Sequence, residues 1–447
     1  MWQVILLLLA IVFIVLATSK LKLHPFLTLL IAAFGYGILC RQMSLADVVK
    51  SINDGFGGTL GHIGIVILAG SVIGTFLEKS GGAAQLAQRT VTLVGRKNVP
   101  MAMGLIGYIV SIPVFCDSGF ILLAPLAKSL AAKAKVPLAA AVMALSLGLY
   151  ATHTMVPPTP GPVAAASYLG ADLGHVILLG LIVSGPALLV SWLFSVKVAA
   201  RVELRSEAPA EPSSTPESQA EAPSARKALV PILLPIVLIL LRSVSSFPSH
   251  PLGEGALSEI VDFAGQPVVA LLAGVLAAFL LPRKLTTHML SPSGWVGEAV
   301  LAAATIIIIT GCGGAFGKVL QNSNIADVVS GTLGAESAWG IWLPFLLAAA
   351  IKTAQGSSTV AIITTAGIVA PLLEPLGLAE PAGRALAVIA IGGGAMVVSH
   401  ANDSYFWIVT QLSGMTVQQG YRLQTLGTLI EGAVVAVTVW IIGMIIL

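Results

Sequence analysis

Charge is scarce in this sequence. Only 10% of its 447 residues are Asp, Glu, Lys or Arg, too few to solvate the surface of a water-soluble chain of this length. The net charge of +3 is small and gathers at the ends of apolar runs, so it argues orientation and no nucleic-acid partner is expected. Cysteine is scarce too. Cys40, Cys116 and Cys312 have neither disulfide nor metal-ligand spacing and lie in or beside apolar segments, where they read as small buried hydrophobes. No GxxxxGK[ST] run occurs, and no soluble segment is large enough to hold a nucleotide-binding domain, which argues against a primary pump. No cofactor and no metal is expected.

Apolar residues and glycine are abundant instead: 56% of the chain is hydrophobic, 46 residues are Gly, and the mean hydropathy is +0.95. The chain therefore reads as an all-α polytopic membrane protein in a lipid bilayer. Its first apolar stretch, 1–18, has no basic leader and is followed by Lys20 and Lys22, so it reads as a retained span with the N-terminus periplasmic. Runs at 25–40 and 58–77 go out and return, with Arg41 a mild exception to the charge rule. The C-terminal run, 428–447, follows Arg422 on the inside and ends in the periplasm.

The stretch IPVFCDSGF, 112–120, sets a proline, a carboxylate and a glycine inside an apolar run, where a charge is expensive and calls for a reason. Arg96 and Lys97 precede the run, and Lys128, Lys133 and Lys135 follow it. Cations at both ends put both ends inside, which predicts a re-entrant helical hairpin over 99–135 with Asp117 and Ser118 near its tip. Two full spans joined by an external turn at Asp117 are the alternative. A second apolar run, 338–371, is interrupted by IKTAQGSSTV and flanked by Glu336, Glu374 and Glu380, which predicts a second hairpin opening outward. Two further helices are predicted to break, one at 152–162, where prolines and a glycine cannot sustain an α-helix, and one at SHANDSYFW, 399–407.

Between the halves, residues 202–228 turn to Ala, Pro, Glu and Ser and read as a disordered cytoplasmic linker. The halves it joins, 1–201 and 229–447, look related. Gly70, Gly74, Leu77 and Ser80 correspond to Gly313, Gly317, Leu320 and Ser323, and His153 in ATHTM stands opposite His400 in VSHAN. Each half is expected to contribute five transmembrane helices plus one re-entrant hairpin. An odd number of crossings turns the second copy upside down, giving an inverted repeat with its site at the repeat interface. Chance likeness between glycine-rich spans is the alternative.

Hairpin tips and helix breaks free backbone groups at membrane depth, so the candidate substrate-binding residues are drawn from them. They are Asp117, Ser118, Gly119, Thr152, His153 and Thr154 in the first half. In the second half they are Lys352, Gln355, Gly356, Ser357, Ser358, Thr359, Ser399, His400, Asn402 and Asp403. Hydroxyls and amides suit a polyhydroxylated or amino-bearing solute, and half-helix N-termini following Gly119 and Gly356 would hold a carboxylate. Lys352 either meets a substrate carboxylate or pairs with Asp117 or Asp403. Asp117, His153, His400 and Asp403 are the candidates for carrying a coupled proton.

The segments LEKSGGAAQLA, IPVFCDSGFILLAPLA, ATHTMVPPTPGPVAAA, AQGSSTVAIITTAGIVAP and SHANDSYFW, in this order, strongly resemble the gluconate permease (GntP) family of the ion transporter superfamily. The likeness runs from about residue 58 to the C-terminus, apart from the linker. It implies a bacterial inner-membrane symporter that takes up gluconate or a related small hydroxy-carboxylate with protons. It also implies a homodimer and an elevator-like motion of the hairpin-bearing domain, and some members carry D-serine or glycerate. Two positions depart from the family pattern: Thr159 stands where gluconate-type members tend to have His, and Lys352 where Arg is frequent. A passive channel and an intramembrane enzyme are the rivals. The enzyme would need a nucleophile with a base or a metal cluster, which the isolated His and Cys residues do not supply.

Overall fold

The computed structural model of the chain describes residues 2–95, 98–204, 222–245, 255–325, 328, 340–400 and 403–447. Among them every regular element is helical. The flanking pair Arg96 and Lys97, most of the linker at 202–228, and Glu336 lie outside the described residues.

The first half begins with α1 (Trp2–Ser19) and α2 (Pro25–Leu39), followed by α3 (Leu45–Lys79) and α4 (Gly82–Val94). Helix α3 starts well before the apolar run 58–77. Ser44 caps it by accepting the Asp47 N–H, and Asp47 places a negative charge in its first turn, so the helix extends through the polar residues ahead of the run. Helices α5 (Val99–Val110) and α6 (Cys116–Ala134) form the first hairpin. Next come α7 (Leu138–His153), α8 (Pro160–Leu169) and α9 (Leu173–Lys197). The interruption between α7 and α8 is narrower than 152–162: α8 begins at Pro160, because proline is tolerated in a first turn that needs no N–H.

In the second half α10 (Ala225–Ser245) and the short α11 (Ala256–Ala264) lead to α12 (Pro267–Ala278) and α13 (Trp295–Asn322). Helices α14 (Trp342–Gln355) and α15 (Ser358–Val369) form the second hairpin. Helix α16 (Pro381–Gly394) is separated from α17 (Ser404–Leu412) by a break that opens earlier than 399. The last helix, α18 (Val417–Ile446), carries a π turn at Tyr421–Thr425.

By length and composition α13, α18 and α9 with its short extension to Arg201 can each cross a membrane, and α1, α2, α5, α7, α14 and α15 are shorter apolar helices. The burial pattern fits lipid as the outer solvent. Leu8, Ile182, Val237, Leu276 and Ile445 face outward on α1, α9, α10, α12 and α18, while α7, α15 and α16 are buried along nearly their whole length. Helices α3 and α13 pack along each other and carry the hairpins and broken helices against them.

Small residues make that contact close. A Cβ at Gly74 of α3 would stand 2.5 Å from the Pro113 carbonyl at the first hairpin tip, and one at Gly317 of α13 would stand 2.9 Å from the Gly367 carbonyl in the second hairpin. Gly74→Val is therefore expected to cost about 1–3 kcal/mol by overpacking. The loss is read as a lower melting temperature in detergent, and Gly57→Val, whose Cβ would meet nothing within 4 Å, is the unaffected control.

Candidate functional site

The first hairpin turns at Ser111 to Phe115, where Pro113 interrupts the helical bonding, and α6 resumes at Cys116. Asp117 and Ser118 thus occupy the first turn of α6, and the half-helix starts before Gly119 instead of after it. The second hairpin turns at Gly356, whose φ of +93° lies in the left-handed region that favours glycine. Ser357 then caps α15, its hydroxyl accepting the Val360 N–H at 3.3 Å. At the second break Asp403 caps α17, accepting the Tyr405 N–H at 3.0 Å.

Three helix N-termini, those of α6, α15 and α17, consequently meet at one cavity of about 410 Å³, a size within the range of about 300–1,000 Å³ common for small-molecule sites. It is lined by Asp117, Ser118, His153, Ser357, Ser358, Thr359 and Asp403, together with Phe115, Cys116, Tyr150, Ser404, Tyr405 and a wall from α13 that is apolar (Ala302, Ile306, Ile309) apart from Thr305. Both hairpins and both breaks contribute.

The other sequence-derived candidates stand behind this lining. Lys352 is fully buried: its Nζ donates to Asp403 Oδ2 at 2.6 Å and to the Gly356 carbonyl at 2.5 Å. Of the two roles open to it from the sequence, this geometry corresponds to counter-ion of Asp403. Ser399 Oγ also donates to Asp403 Oδ2, at 2.5 Å. His400 Nε2 donates to the Thr353 carbonyl at 2.8 Å, away from the cavity. Thr152 donates to the Tyr108 carbonyl at 2.9 Å, Gly119 faces Leu149, and the Thr154 hydroxyl is buried without a hydrogen-bond partner. Asn402 and the side chain of Gln355 lie outside the described residues.

The family model of GntP family permeases matches residues 2–445. The chain belongs to the GntP permease family. A gluconate permease of Pseudomonas aeruginosa is 35% identical over 422 residues, covering 94% of this chain and 92% of its own. The Escherichia coli K12 D-serine transporter DsdX is 33% identical over 447 residues, 100% of this chain and 99% of its own. Among solved structures the permease resembles the Alcanivorax borkumensis YdaH transporter, with a TM-score of 0.64 at 16% identity over 89% of this chain and 90% of that one. It also resembles Neisseria gonorrhoeae MtrF, with a TM-score of 0.62 at 14% identity over 96% and 97%. At such identities the two structures speak for a shared helical transporter fold. The family and the apolar helices together make the chain an integral membrane permease.

Sequence reasoning missed the aromatic part of the permease site. Tyr150, at the buried end of α7, is hydrogen-bonded to Ser358 Oγ at 2.5 Å and stacks on Tyr405 with ring centroids 5.2 Å apart. Tyr405 lies within SHANDSYFW, so its place beside a polar break was a usable signal, whereas Tyr150 looks like any aromatic in an apolar run. Electrostatically, the one cation at the site among the described residues, Lys352, is matched by Asp403, and the second carboxylate facing the cavity, Asp117, has among them Ser404 Oγ at 3.4 Å and the Cys116 thiol at 3.8 Å. With Asp117 ionised and His153 neutral, the chamber holds one negative charge in excess.

Proposed function

We propose that this permease imports gluconate or a related small hydroxy-carboxylate together with protons. The observation that carries the reading is the cavity where three helix N-termini meet while a carboxylate without a cationic partner, Asp117, faces the same space. Helix N-termini favour a substrate carboxylate, and hydroxyls from Ser118, Ser357, Ser358 and Thr359 suit its hydroxyl groups. An ionised Asp117 opposes that anion, so a proton on Asp117 and the substrate bind best together. Linkage of this kind couples the two fluxes.

D-serine is the second reading. Its ammonium would match an ionised Asp117 while its carboxylate meets the helix N-termini, and a D-serine transporter is among the relatives. Glycerate fits the first scheme.

The transport cycle proposed is alternating access by an elevator-like motion in an inverted-repeat homodimer of the bacterial inner membrane, both termini periplasmic. Support comes from the matching order of elements in the two halves, each with a hairpin followed by a broken helix, and from the glycine-faced contacts of α3 and α13 with the hairpins. A second cavity of about 590 Å³, with Asp54, Lys318, Glu374 and Arg384 on its walls, lies further along α13. Tyr168, whose hydroxyl donates to the Thr310 carbonyl, lines this second cavity. Such a pair of chambers on one helix suits access from opposite sides.

Labelled gluconate and labelled D-serine, offered separately to liposomes carrying the purified chain, test the reading. Accumulation above equilibrium that collapses with a protonophore is expected for one of them. Accumulation indifferent to the protonophore excludes proton coupling, and flux that never exceeds equilibrium indicates a channel.

A further inference from the structure

One titratable group deep in the fold plays no part in the cavity. Glu431, midway along α18, is 0% exposed, and neither of its carboxylate oxygens has a hydrogen-bond partner. Helices α9, α16 and α7 pack against α18. From α9 it is approached by Ser191, close enough to interact but outside hydrogen-bond geometry, so that the Ser191 hydroxyl is also without a partner. The Tyr405 phenol of α17 lies within its electrostatic reach. Neither α7 nor α16 presents a charged side chain to it, and no cation among the described residues acts on it. An ionised carboxylate in such surroundings carries a desolvation cost that the neighbouring Ser191 hydroxyl offsets only in part, whereas the protonated acid carries none of that charge.

Its neighbours along α18 tie Glu431 to the cavity. One turn earlier, Thr428 Oγ1 accepts the Ser399 N–H at 3.0 Å, and a further turn back Thr425 Oγ1 donates to the Ser399 carbonyl at 2.6 Å. Ser399 Oγ in turn holds Asp403. Further along the same helix, Gln424 Oε1 accepts from Ser146 Oγ at 2.8 Å, and the Ser146 carbonyl accepts from the Tyr405 hydroxyl at 2.9 Å. The π turn at Tyr421–Thr425 lies within this polar stretch, a kind of helix irregularity found often at functional sites. Any movement of the second break or of α17 is therefore felt at Glu431 through hydrogen bonds one turn away.

From this we infer that Glu431 is a proton-binding site of the transport cycle, separate from the substrate cavity, which holds its proton in the arrangement seen and releases it when the broken helix and α18 move apart. The inference rests on the proton-coupled reading above. The step moves one proton between the carboxyl group and water and involves no other bond.

The test uses the full chain in liposomes with the membrane potential clamped, and labelled gluconate or D-serine, whichever the wild type accumulates. The proton-to-substrate ratio is read from an internal pH dye, and substrate exchange at equal pH serves as the measure of binding and movement. Glu431→Gln is expected to keep exchange and to lower the ratio by one proton, so that a gradient of about one pH unit drives about tenfold less accumulation than in the wild type. An unchanged ratio in Glu431→Gln overturns the inference. Loss of both exchange and accumulation in a variant that melts like the wild type also overturns it, since that marks a packing role. If Glu431→Gln does not fold, Glu431→Asp decides: a wild-type ratio supports the proton site, and a lower ratio or a second misfolded protein rejects it. A wild type that moves no protons with substrate removes the proposed function itself, a result distinguishable from all of these, and the inference falls with it.

Discussion

Lys352→Met is expected to destabilise the protein by about 3–5 kcal/mol, the range measured when one member of a buried ion pair is removed. The reason is the state in which it leaves Asp403. The lysine is fully buried, Asp403 is almost so, and the ammonium is the one cation on that carboxylate. Without it the carboxylate keeps Ser399 Oγ and the Tyr405 N–H but has no opposing charge. The Gly356 carbonyl at the second hairpin tip loses its donor in the same stroke. Asp403→Asn in the Lys352→Met background should recover part of the loss, because a neutral amide needs no counter-ion, its oxygen still accepts the Tyr405 N–H, and its NH2 group, standing where Oδ2 was, can donate to Ser399 Oγ. Melting curves of the wild type and the two variants in detergent check this, and a Lys352→Met protein as stable as the wild type would mean that the pair does not hold the hairpin to the break.

Asp117→Asn addresses the cavity itself. Two like charges about 4 Å apart repel by about 4 kcal/mol at an effective dielectric of about 20. A substrate carboxylate beside an ionised Asp117 therefore loses affinity as pH rises, and a proton on Asp117 restores it. The sign follows directly: wild-type affinity for a carboxylate anion is fully present where Asp117 is protonated and declines as pH rises until it is ionised. Asn is neutral at every pH. The variant is thus expected to bind gluconate with a flat pH profile, to bind it more tightly than the wild type at alkaline pH, and to lose at least tenfold in accumulation for each unit of imposed pH gradient. For D-serine the expectation inverts, because the ammonium loses its partner and binding weakens at every pH at which wild-type Asp117 is ionised. Equilibrium binding across pH separates the two readings in one experiment.

Much of this site was legible in the sequence because proline, glycine and charge are so out of place in an apolar run that each marks a break in the helix. Asp117, Ser357 and Asp403 fall at such breaks, and they come together at the cavity. The limits of the elements were harder to read. Proline ends a helix and also begins one, so Pro160 looks like part of the break when it is the first residue of α8. Ser44 and Asp47 extend α3 into polar sequence that hydropathy alone leaves out. Which faces of a span meet the site was not readable at all: Tyr150 and the α13 wall are chosen by how the two halves pack, and that pairing leaves no local mark. Glu431 did leave one, a lone acid in an apolar stretch, the very signal that singled out Asp117.

Everything proposed for the permease depends on the two hairpin tips sharing one chamber with the substrate. Single cysteines at Ser118 and Thr359, in a background where Cys40, Cys116 and Cys312 are replaced and uptake is retained, test this through substrate protection. Saturating substrate should slow alkylation of both cysteines by a membrane-permeant maleimide at the same half-maximal concentration. Protection of one with no effect on the other would place the tips in separate compartments and contradict the account.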